Sequence, residues 1–140
     1  MNKRGLSILF FGVVLSCSLA RAQDVVVIVN NQVKATAASK DDIRAVFTGD
    51  KTSLSDGSHV TPVTLKGGAA HEVFLKNYVE KSDAAFRTAW RSLVFTGQGS
   101  MPKTVDSEAA MLEYVAATPG AIGYVSKVTE HDKVKTLAVK

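Results

Sequence analysis

A chain of 140 residues is one domain's worth of sequence, enough for a single modest core and too little for two lobes of ordinary size. Its 17 basic and 13 acidic residues give a formal net charge of +4, but Lys3, Arg4 and Arg21 fall in an N-terminal segment that reads as a secretory signal. Without it, 14 basic residues face 13 acidic ones, and a net charge of +1 gives no ground for nucleic acid or an anionic membrane as partner.

That segment has a basic start, "MNKR", an apolar stretch, "GLSILFFGVVLSCSLA", and small residues in "ARA" before Gln23. Residues 1 to 22 are thus expected to be cleaved on export, leaving residues 23 to 140 as one domain in the periplasm or outside the cell. A lipoprotein signal at Cys17 is disfavoured by bulky Leu15. Cys17 is the only cysteine, so the remaining domain needs no disulfide and has no thiol to use for catalysis or metal binding.

"DVVVIVN", residues 24 to 30, is a continuous β-branched run, as expected of a strand buried on both faces under helices. "SKDDIRAVFTGD" predicts a short helix capped by Ser39, with Ile43, Val46 and Phe47 on one face and Gly49 just past its end. Asp56-Gly57 marks a turn, and "VTPVTL" predicts a strand in which Pro62 implies an edge or an irregular start. A helix of about a dozen residues follows from "AAHEVFLKNYVEK". The next spans "SDAAFRTAWRSLVF", with Ser82 as cap and Phe86, Ala89, Trp90 and Leu93 as its apolar stripe. A further helix runs through "EAAMLEYVAA", capped by Asp106 or Ser107 and ended at Gly120, and "AIGYVS" and "KVKTLAV" close the chain as strands. The predicted fold class is α/β, one layered domain of about four strands in a mixed sheet with helices on both faces.

Little of this carries catalytic chemistry. His59, His71 and His131 are isolated from one another and read as surface or half-buried residues, and Asp41-Asp42 reads as acids complementing a helix N-terminus. No nucleophile elbow, Walker pattern or dinucleotide fingerprint is present, so an enzyme and a resident cofactor or metal are not expected. The stretch "LKGGAAHEVF", residues 65 to 74, is different in kind: two glycines join a strand to a helix, where outward amides favour an anion and Lys66 adds a cation. The same glycines also serve as no more than a tight turn.

"VVVIVN", "SKDDIRAVFTGDKT", "VTPVTLKGGAAHEVFLKNYV", "AWRSLVFTGQG" and "ATPGAIGYVS" together resemble, in order and spacing, the phosphate-type periplasmic substrate-binding proteins of ABC transporters. The resemblance is to their second lobe, and more closely to short single-domain members. It implies a periplasmic-binding-protein-like single lobe and a role in binding. Classical members grip phosphate at this junction with an arginine, a serine, a threonine and backbone amides. Aligned on Phe74, the arginine position falls on Thr64, the glycines on Gly67 and Ala69, the serine on Gly68, the threonine on Ala70, and an acidic spacer on Lys66. Each lost charge-assisted bond is worth roughly 1.5–3 kcal/mol, so tight capture by this chain alone is not expected.

Two readings stay open. One is a small-anion binder, with phosphate as the model ligand, using Thr64, Lys66, the amides from Gly67, Gly68, Ala69 and Ala70, and His71, completed by a partner or second copy. The other is an envelope interaction protein that kept the fold and lost the ligand.

Overall fold

Val25–Val29, every residue β-branched, form β1, which lies inside the sheet with Val27, Ile28 and Val29 all but inaccessible. The computed structural model describes residues 24–140; the expected signal and Cys17 lie outside the described residues. Two antiparallel neighbours flank β1, namely β5 (Ala121–Ser126) and β6 (Lys135–Val139), the two strands that end the chain. They pair with β1 rather than with each other. β3 (Thr61–Leu65) runs parallel to β5 on one side and to β4 (Lys103–Val105) on the other, while β2 (Ala37–Ala38) runs parallel to β6. The sheet order is thus β2-β6-β1-β5-β3-β4.

Six strands replace the expected four. The additions are two and three residues long, and such strands exist through the partner they pair with rather than through their own β-propensity. Pro62 lies in an interior strand, not an edge one. It is tolerated because β4 comes alongside only from Val63 onward, so no ladder donor is needed from residue 62 on that side.

The helices divide between the faces. Tyr124 points toward α1 (Lys40–Phe47) and α2 (Ala69–Phe74), where its ring stacks on Phe74 at 3.8 Å and meets Phe47 edge-on at 5.9 Å. The next position back, Gly123, faces α4 (Glu108–Ala117) through Met111 and Val115. α2 continues into a π-helical turn, Leu75–Val79, so the two together have the expected length. Ser39, Ser82 and Ser107 each cap their helix by accepting the amide three residues on. No helix among the described residues is long and apolar enough to cross a membrane.

α3 (Asp83–Phe95) buries only Phe86 and Trp90, and its position is set at α1's end. Trp90 Nε1 donates to the Phe47 carbonyl at 2.9 Å, satisfying a helix-end acceptor. Gly49, at φ +83°, lets this happen: a Cβ there would lie 2.5 Å from Leu93 Cδ1.

Gly123 shows how closely α4 lies on the sheet, since a Cβ built on it would sit 2.5 Å from Met111 Sδ and 3.3 Å from Val115 Cγ2. Gly123→Ala is expected to cost about 1–3 kcal/mol by overpacking, read as a lowered urea midpoint with the slope unchanged. An unaltered midpoint would show that α4 sits further from the sheet.

Candidate functional site

Parallel β3, β4 and β5 all end at one edge of the sheet, at Leu65, Val105 and Ser126, the edge where α/β sheets present their ligands. Two helices begin beside it on opposite faces. α4 caps its own N-terminus at one amide: Ser107 Oγ accepts from Ala110 at 3.1 Å, while the Glu108 carboxylate accepts from the Ser126 amide and the Thr129 hydroxyl beside that start. α2 does not. Its cap is Gly68, which has no side chain to offer, and the first backbone bond in the helix runs from the Glu72 amide to the Gly68 carbonyl. The amides from Gly67 to Ala70 therefore have no acceptor among the described residues.

The turn is open at its two glycines. A Cβ on Gly67 or Gly68 would meet nothing within 4 Å, so the loop after α3 does not cover them. Gly68 is required for its backbone, φ +97°, rather than for space. Lys66 reaches outward with its ammonium 3.9 Å from the Asp106 carboxylate, both largely exposed.

Other expected site residues turn inward. The Thr64 hydroxyl is buried against that of Thr104 at 3.2 Å. The His71 side chain is 2 % exposed, not a surface group, and both ring nitrogens are engaged: Nδ1 with the Tyr124 hydroxyl at 2.5 Å, Nε2 with Asp83 at 2.8 Å. Its sequence signal is the spacing to Phe74 and Leu75, which places all three on one helical face.

Those contacts belong to a ring of hydrogen bonds that ends on the turn at both sides. The Leu65 amide donates to the Tyr124 hydroxyl at 2.9 Å. His71 links Tyr124 to Asp83, and Arg87 Nε donates to the other Asp83 oxygen at 2.9 Å. Arg87 then gives an Nη2 hydrogen to the Lys66 carbonyl at 2.8 Å, while the Lys66 amide donates to the Val105 carbonyl at 2.9 Å. Leu65 and Lys66 are thus fixed at three backbone groups immediately before two open glycines. Arg87, which sequence reasoning did not single out, brings a guanidinium to this turn, although Thr64 stands where the family resemblance would put an arginine.

Two carboxyls are held below their ordinary range by this packing. Asp83 is lowered by the Arg87 hydrogen bond and then that of His71. Asp42, with its side chain 4 % exposed rather than solvated as its sequence position implies, is lowered chiefly by the Ser55 hydroxyl at 2.5 Å and then by Lys51 at 3.3 Å, against its own burial. His59 is exposed and His131 binds the Thr129 carbonyl, and the described residues contain no group of three or more His, Cys, Asp or Glu placed to hold a metal.

Because both aspartates titrate lower folded than unfolded, the unfolded chain takes up their protons first as pH falls. Their stabilisation is present above the ordinary aspartate value of 3.8 and is lost progressively as pH falls through the lowered folded values. Asp42→Asn should flatten the fall in melting temperature between pH 5 and 2.5 relative to the parent chain; parallel curves would show that the Ser55–Asp42 contact is not maintained in solution.

No family model matches the sequence, and no curated protein is detectably related. Solved structures do match. A putative phosphate ABC transporter substrate-binding protein with bound phosphate from Clostridium perfringens superposes with a TM-score of 0.64 at 15% identity, over 84% of this chain and 45% of that one. PstS from Borrelia burgdorferi gives 0.60 at 15%, over 84% and 47%, and an ABC-type phosphate transport receptor from Vibrio cholerae gives 0.55 at 15%, over 84% and 46%. The chain therefore has the fold of phosphate ABC transporter substrate-binding proteins, spanning less than half the length of each.

Proposed function

We propose that the protein is a non-enzymatic binding module of the periplasm or extracellular space that holds a small oxyanion, phosphate or sulfate, at the turn from Thr64 to His71. The observation that carries this is the contrast between the two helix starts at the ligand edge: α4's has a serine cap with a glutamate beside it, while α2's has no side-chain cap, opens at Gly67 and Gly68, and is flanked by Lys66 and Arg87. The similarity to proteins described as phosphate-binding supports the choice of anion. Amides from Gly67 to Ala70 and the Lys66 ammonium are the contacts; Thr64 and the His71 ring support the turn from beneath.

Affinity is set by exposure. Lys66 has a side chain 74% exposed, and such charges contribute about 1 kcal/mol or less, so a dissociation constant between about 10 μM and 1 mM is expected. Calorimetric titration with phosphate and with sulfate at low salt should show saturable heat, weakened about tenfold or more in Lys66→Glu, which replaces a cation with an anion at the site. Absence of both heat and thermal shift at millimolar phosphate would overturn the reading.

A second reading has its own observation. Phe95 is 94% exposed at the end of α3, with Val94 at 41% and Met101 at 50%, a set of apolar side chains suited to an envelope partner or a second copy. Should phosphate give no signal while sedimentation shows self-association that Phe95→Asp removes, this reading takes precedence.

A further inference from the structure

Each hydrogen in the ring has a direction, assigned from its partners. The Tyr124 oxygen accepts the Leu65 amide, so its own hydrogen goes to His71 Nδ1, and the imidazole's hydrogen must sit on Nε2, donated to Asp83. The other tautomer would aim a bare nitrogen at a carboxylate. A doubly protonated His71 does not fit the same arrangement: a hydrogen on Nδ1 faces an oxygen already accepting from Leu65, and the Tyr124 hydrogen loses its acceptor in the ring. Either the Tyr124 oxygen accepts twice and leaves its own hydrogen buried without an acceptor, or one of the two bonds at Tyr124 opens, and the second relieves that cost.

The charged surroundings are few. α3 presents Asp83, with Arg87 behind it, and the Phe86 ring 6.4 Å away; β5 presents Tyr124, whose hydroxyl burial pushes up and keeps protonated. β3 presents Thr64 and Leu65, which do not titrate, and Glu72 on His71's own helix is exposed, as is Lys66.

We propose that His71 is a pH-sensitive clasp on the turn. Neutral, it closes the ring that fixes Leu65 and Lys66 and presents the amides beyond them; protonated, it opens the ring, so that oxyanion binding weakens on acidification. The binding half of this inference rests on reading the turn as the anion site. Its sign is distinctive, because an added positive charge beside the turn would by Coulomb attraction alone tighten an anion.

Sulfate, a dianion throughout this range, is the probe, titrated at pH 7.5 and 5.5 into ¹⁵N-labelled protein. At pH 7.5 the His71 nitrogen shifts should report the Nε2–H tautomer and a Leu65 amide protected from exchange. Through the His71 titration, Leu65 protection should fall about tenfold or more and sulfate affinity about threefold or more. In Tyr124→Phe, Leu65 should be poorly protected at both pH values, and in His71→Gln the pH dependence of sulfate binding should vanish. Leu65 protection that does not change while His71 titrates, an Nδ1–H tautomer at pH 7.5, a His71 that stays neutral until the protein unfolds, or tighter sulfate binding at pH 5.5 would each overturn the clasp. Failure of sulfate to bind at pH 7.5 would instead remove the anion reading, leaving the clasp to be decided by Leu65 exchange.

Discussion

Tyr124 lies where the apolar core meets the first polar groups of the turn. Its ring is inaccessible, stacked on Phe74 and edge-on to Phe47, while its hydroxyl accepts the Leu65 amide and engages His71. A phenol is suited to both tasks, since it brings a large apolar body and one hydroxyl that can accept and donate at once. Core packing thereby fixes the position of a backbone amide in the residue pair that leads into Gly67, and the rest of the edge is arranged around that constraint.

α3 completes the arrangement although it is sparsely buried. Trp90 and Gly49 anchor it to the end of α1, and this places Asp83 and Arg87, four residues apart on the same helical face, against His71 and the Lys66 carbonyl. The ring is thus contributed by β3, β5, α2 and α3. Its inner members, His71 and Tyr124, are buried where an unpaired group is costly, while Asp83 and Arg87 reach solvent. Among the described residues the short run of amides after it has no partner, and the same edge shows a different arrangement at α4, where Ser107 caps the Ala110 amide and the Glu108 carboxylate lies beside the helix start.

Features set by a few neighbouring residues were legible in the sequence. The β-branched run of β1, the serine caps at 39 and 82, a cap at Asp106 or Ser107, and the glycines past α1 and α4 follow from local propensity and hold in the structure, where Ser107 is the α4 cap. The glycine turn at Gly67 and Gly68, with Lys66 before it, was legible for the same reason. The ring was not, because it joins His71 to Tyr124 across 53 positions and Leu65 to Tyr124 across 59, and a histidine alone does not reveal which face of the fold it will enter. Asp42 is similar: at a helix start it reads as a solvated acid, and only the return of Ser55 and Lys51 to its carboxylate makes it a buried one. β2 and β4 escape notice because a two- or three-residue strand is specified by its partner.

Mapping the backbone amides by ¹⁵N NMR during a sulfate titration bears most directly on the claim that the ring presents an open row of donors. Saturable shifts concentrated at Gly67, Gly68, Ala69 and Ala70, with the amides at α4's start unmoved, are the expected result. Shifts centred on α4's first turn, or none at the turn while another surface responds, would contradict it.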